Sequence, residues 1–128
     1  MSAAAAYSSR VQELFAAPRR AGSLPDGPGE RLAGETAAVE RGAWVRFEAR
    51  VQGGLITAVR FRAWGCPHVL AACEFVAGTL EGQALADLGD LDARWLAEAL
   101  EVPPEKLGRL LVIEDALRAL AAAGGEAH

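Results

Sequence analysis

The chain has 128 residues, 52% of them hydrophobic, with a formal net charge of −4. That length is enough for one domain with a real core, and no apolar run is long enough to cross a membrane. With only two cysteines, and no basic-then-apolar leader at Met1-Ser2-Ala3, a cytoplasmic protein is expected rather than a disulfide-stapled secreted one. Its scattered arginines do not form a nucleic-acid-binding patch.

Tyr7, Val11, Leu14 and Phe15 fall at helical spacing behind Ser8 and Ser9, and Pro18 limits that helix. Arg19 to Glu30, rich in Gly and Pro, reads as a loop. Thr36 to Val39 reads as a short strand. Val45, Phe47, Ala49 and Val51 then alternate with Arg46, Glu48 and Arg50, the pattern of a strand with one wet face. Gly53-Gly54 supplies turn residues, and Val59, Phe61 and Ala63 alternate with Arg60 and Arg62, which completes a β-hairpin. Arg46, Arg50, Arg60 and Arg62 share a face with Trp44 and Trp64. That face is expected to be solvated, with cross-strand pairing to Glu48.

Behind Cys66 the pattern turns helical. One helix is expected from Pro67 to about Leu80, a short one over Leu85 to Leu88 and another over Asp92 to Leu100. The last starts near Pro104, shows a stripe of Leu107, Leu110, Leu111, Leu117 and Leu120, and ends at Gly124-Gly125. Strands first and helices afterwards predict an α+β fold: a small antiparallel sheet of about three strands with helices packed on one face. One domain is expected over 1–128, with 1–5 expected to be disordered and 123–128 to form a frayed tail.

Motifs for zinc hydrolysis, phosphate loops and dinucleotides are absent, and no enzymatic activity is predicted. The chemistry concentrates at Trp64-Gly65-Cys66-Pro67-His68, where strand gives way to helix. Proline suits the first helical position, so the Cys66 thiol would sit at a helix N-terminus, where the dipole and unpaired amides favour a thiolate. Cys66 and His68 are both ligand types for iron or zinc; the bland alternative is a small buried thiol beside a surface imidazole. Cys73, about 10 Å further along the helix and flanked by Ala71, Ala72, Phe75 and Val76, reads as a core residue. His128, at the end of the chain, is a poor ligand candidate.

These features together resemble the U-type iron–sulfur cluster scaffold family (IscU and the N-terminal domain of NifU) from Tyr7 to about Ala121. Pro18-Arg19-Arg20-Ala21-Gly22 is similar to that family's Asn-Pro-Arg-x-x-Gly stretch, and Gly65-Cys66 with Gly82-Gln83-Ala84-Leu85 to its Gly-Cys helix and Gly-Lys-Ser-Leu. Val102-Pro103-Pro104-Glu105-Lys106 is similar to its chaperone-binding Leu-Pro-Pro-Val-Lys, departing at Val102 and Glu105. Glu114-Asp115-Ala116 matches its last helix.

The resemblance implies a protein that holds a nascent cluster on three cysteines, with a labilising aspartate and a histidine nearby. It also implies a cysteine desulfurase and an Hsp70-type chaperone as partners. By that resemblance Cys66 stands at the middle cysteine, whereas the first falls at Arg41, or at Glu40 if the hairpin alignment slips by one residue, the aspartate at Ala43 and the His-Cys pair at Gly108-Arg109. A guanidinium has no lone pair to give iron, and a 2Fe–2S cluster takes four protein ligands. A homodimer pooling Cys66 and His68 from two chains would supply four, for a cluster or for one Fe or Zn ion. If Arg41 and Arg109 stand beside Cys66, they should lower its pKa. Two other roles are consistent with this pattern: a reactive thiol that accepts sulfur, and an adaptor that binds the desulfurase or chaperone without a cluster.

Overall fold

The structure is a computed structural model, which describes residues 19–36, 43–65, 67–85, 93–102 and 107–126. Three strands form one antiparallel sheet in the order β1-β2-β3: β1 Glu30–Glu35, β2 Trp44–Gln52 and β3 Leu55–Trp64. The helices are α1 Pro67–Leu80, α2 Ala93–Ala99 and α3 Leu107–Glu126. This is the expected α+β arrangement.

The hairpin forms where alternation placed it. Gly53 (φ 61°) and Gly54 (φ 80°) both take the positive φ that a two-residue hairpin turn demands. Trp44 pairs with Trp64, Arg46 with Arg62 and Glu48 with Arg60. The register shifts at Arg50/Val51, a bulge that restores Ile56 to the core face. Val45, Phe47, Ala49, Val59 and Ile56 are fully buried on that face, beneath Val69, Val76 and Leu80 of α1 and Leu110, Ile113, Leu117 and Leu120 of α3.

The first strand lies earlier than expected, at Glu30–Glu35 rather than Thr36–Val39, of which only Thr36 is described. Its sequence, ERLAGE, is a weak strand former; pairing with β2 and cover from α3 decide its state. Gly34 lets that helix come close, since a Cβ there would collide with the backbone of Leu120 and Ala116. The last helix also differs. It runs through Gly124 and Gly125 to Glu126, past its expected end and into the stretch expected to fray. Gly124 is buried where a Cβ would meet Leu85 and Leu32, so close packing accounts for this glycine.

A third difference concerns the outer face of the sheet. The wet face expected there is covered over its hairpin half by residues 19–29, an extended strap. Leu24 is buried, Arg50 donates to the Pro25 carbonyl at 2.8 Å, and Arg62 donates to the Ser23 hydroxyl at 2.7 Å. Glu48 and Arg50 are therefore only 7% and 9% exposed. The strap also closes the β3 edge: Phe61 donates to the Arg20 carbonyl and accepts from the Gly22 amide, each at 2.9 Å.

Candidate functional site

Cys66 itself lies outside the described residues, but both flanks of its turn are placed. Gly65 has φ +152°, a conformation suited to glycine, and a Cβ on it would lie 3.1 Å from the Ala43 Cβ and 3.2 Å from the Val69 Cβ. Ala43, just before β2, is fully buried. Position 43, where the resemblance puts an aspartate, thus adjoins the turn that carries Cys66, and hydrocarbon fills the contact.

Pro67 opens α1, which has no acidic residue in its first turn to offset the positive end of its dipole. His68, in that turn, is only 3% exposed. The surface imidazole of the bland alternative is therefore corrected to a buried one. The helix packs on β3 and α3, which carries His68 inward along with Val69, Ala71 and Ala72.

Other parts of the chain arrive at the same end of the sheet. The Trp44–Trp64 pair is the last rung before the turn. Trp64 is 50% exposed, and the Trp44 indole donates to Glu35 at 3.2 Å. The Thr36 hydroxyl donates to the Val112 carbonyl at 2.9 Å in a buried bond, tying the end of β1 to α3 about one turn beyond Arg109. Gly108 and Arg109 belong to the first turn of α3, although their side chains are outside the described residues, as is the whole of Arg41. Val102 is a core residue whose amide donates to the Ala97 carbonyl; Pro103, Pro104, Glu105 and Lys106 lie outside the described residues.

Cys73 is fully buried, and burial, helped by the neighbouring Glu74 charge, pushes its thiol far above the ordinary range. It is an inert core residue, as expected. Among the described residues no three His, Cys, Asp or Glu side chains group closely enough to hold a metal.

Ionic contacts that local patterns do not reveal anchor the strap. The Arg20 side chain meets Glu74 at 3.0 Å and Glu81 at 2.7 Å, while its amide donates to Glu74 at 2.7 Å. Hydrogen bonds to Glu81, then to Glu74, raise the Arg20 pKa. Burial works against the Glu81 charge, but the Val59 amide, Arg20 and Arg60 hold its carboxyl below the usual range. Glu48 behaves alike: burial opposes ionisation, and Arg31 at 3.3 Å with Arg46 at 3.4 Å outweighs it. Partners 54 and 61 positions apart leave no mark in a local window; Arg20, inside the Pro-Arg-Arg stretch, was the one visible hint.

The model of the NifU-like N-terminal domain matches residues 6–123. The chain belongs to that family. The iron–sulfur cluster assembly scaffold protein IscU of Haemophilus influenzae is 29% identical over 115 residues, 89% of this chain and 91% of that protein. The protein of the same name from Escherichia coli K12 is likewise 29% identical, over 89% of this chain and 90% of its own. Among solved structures, the N-terminal part of a NifU-like protein from Brucella abortus superposes with a TM-score of 0.65 at 17% identity, covering 93% of this chain and 92% of that one. A SUF-system protein from Fervidobacterium islandicum AW-1 gives 0.66 at 14% identity, covering 95% and 98%. At such identities these two structures speak for the fold alone.

Proposed function

We propose that this NifU-like domain serves iron–sulfur cluster assembly as a scaffold-type protein, with Cys66 as the residue that faces the cargo and His68, buried in the first turn of α1, as the second candidate ligand. The family match over residues 6–123 carries the reading, supported by a cysteine set between a packed glycine and the first proline of a 14-residue helix. The cargo is iron or a nascent cluster, carried rather than turned over, so no enzymatic activity is part of this reading. One chain offers Cys66 and His68, and a cluster takes four protein ligands, so two chains would share it. A desulfurase and an Hsp70-type chaperone are the partners such a role calls for, in a reducing compartment such as the cytoplasm. No helix among the described residues is long and apolar enough to cross a membrane.

Anaerobic reconstitution with iron and sulfide tests this. The expected result is visible charge-transfer absorption with about one cluster per two chains, lost in Cys66→Ser and weakened in His68→Ala. A colourless wild-type protein with no bound iron would sink the reading.

The arginines at positions 41 and 109 favour a second reading, in which Cys66 accepts a single sulfur. Its thiolate attacks the outer sulfur of a donor persulfide, the sulfur–sulfur bond breaks, and the donor leaves as a thiolate. Mass spectrometry after incubation with a persulfide donor would show a gain of one sulfur on the Cys66 peptide; an unmodified peptide excludes it.

A further inference from the structure

We infer that residues 19–29 form a detachable strap: an ionic latch at Arg20 keeps it closed, and it lifts as a unit from the outer sheet face and the β3 edge while the sheet and helices stay folded. Opening involves neither Cys66 nor any bound group, so it gives the fold a second state that is separate from the cargo site.

Little apolar surface holds the strap down. Of residues 19–29 only Leu24 is buried; Arg20 is half-buried and the rest are exposed. Segments with so few buried apolar contacts open locally, well below the free energy of global unfolding. The other contacts are polar. Arg50 donates to the Pro25 carbonyl and Arg62 to the Ser23 hydroxyl, both neutral acceptors that water replaces at small net loss. Closure also has a cost. Beneath the strap, Glu48 Oε1 and Arg50 Nε are buried and make no hydrogen bond among the described residues, and lifting the strap returns both atoms to water.

Arg20 offsets these weak terms. Its guanidinium reaches Glu74 at 3.0 Å and Glu81 at 2.7 Å, and its amide donates to Glu74 at 2.7 Å. The Arg20 and Glu81 side chains are 31% and 24% exposed, so dissolved salt reaches that pair and weakens it. At the other end, Gly29 takes a φ of 100° immediately before β1, a glycine conformation at the point where the strap meets a fixed strand. Opening uncovers Glu48 and Arg50. It also frees the amide and carbonyl of Phe61 on the β3 edge, which bond to Arg20 and Gly22 in the closed state.

Residue-resolved amide hydrogen exchange on the full chain under native conditions provides the test. The amides of Arg20, Gly22 and Phe61 report on the strap, since they donate to Glu74, to the Phe61 carbonyl and to the Arg20 carbonyl. The amide of Val76, a fully buried residue inside α1, reports on the core. All three strap amides should be protected yet exchange together, at least about ten-fold faster than Val76. Low urea should accelerate Val76 and hardly move the other three, because little surface opens with the strap. Raising NaCl to about 0.5 M should speed the three by about three-fold. Arg20→Gln should do so by about ten-fold and abolish the salt response. Strap amides that follow Val76 in rate and urea slope overturn the inference, since they would open only with the whole molecule. So does a complete lack of protection in the wild type, and so does a rate unmoved by salt or by Arg20→Gln. Should that variant not fold, the wild-type salt and urea series carry the test by themselves.

Discussion

A methyl group added at Gly34 would land on the backbone of Leu120 and Ala116, which no side-chain rotation can relieve. Gly34→Ala should therefore lift α3 off β1 at a cost of about 1–3 kcal/mol, read as a lower midpoint in thermal or urea unfolding. Unchanged stability would mean the helix does not sit where the structure puts it. Thr36 bears on the same junction through its buried bond to the Val112 carbonyl. Thr36→Val keeps the shape and removes that bond, for about 1 kcal/mol. Neither role was legible beforehand. Gly34 sits in a weak strand pattern, and Thr36 was read into a strand that in fact ends at Glu35. Cys73 was legible, because a small thiol among alanines and bulkier apolar residues at helical spacing has few alternatives to the core.

Among the elements, the strap over residues 19–29 departs most from the pattern. Its Gly and Pro content marked it as a loop, and a loop it is, but local sequence does not say what a loop lies upon. Arg20 joins it to the C-terminal half of α1, where Glu74 is buried in the pair. Arg20→Ala would leave that carboxylate without its cation. We expect a loss of about 1–3 kcal/mol, less than for a fully buried pair because Arg20 is partly exposed. Proteolysis within 19–29 should also be faster under native conditions. Equal cleavage rates in variant and wild type would show that the strap is held by other means. The hairpin and the helix behind Pro67 were, in contrast, fully readable, since two-residue alternation, a Gly-Gly turn and a proline at the first helical position are local signals.

For the molecule as a whole, the depressed carboxylates Glu48 and Glu81 link stability to pH. A carboxyl whose folded pKa lies below its unfolded value contributes stability above the unfolded pKa and loses it as pH falls through the folded one. Their contribution should be intact at neutral pH, begin to fade near about 4.3, and be gone below their depressed folded values. Equilibrium unfolding from pH 7 downward would show it. Glu48→Gln should flatten that acid limb while destabilising the protein at pH 7, since Arg31 and Arg46 lose their shared anion. An acid limb identical to wild type would remove Glu48 from the account.

By itself the chain's order of residues determined the fold class, the hairpin, the helix after Cys66 and the family, because each depends on periodicity, turn chemistry or short motifs in a set order. It also marked Cys66 as the candidate sulfur. Only the tertiary structure decided that Ala43 and Val69 close around Gly65, that His68 is inside rather than on the surface, that β1 begins at Glu30, and that charges at 48 and 50 lie under a strap. These depend on which distant segments come into contact. Burial and charge pairing between residues dozens of positions apart are settled by packing, and packing has no period to read.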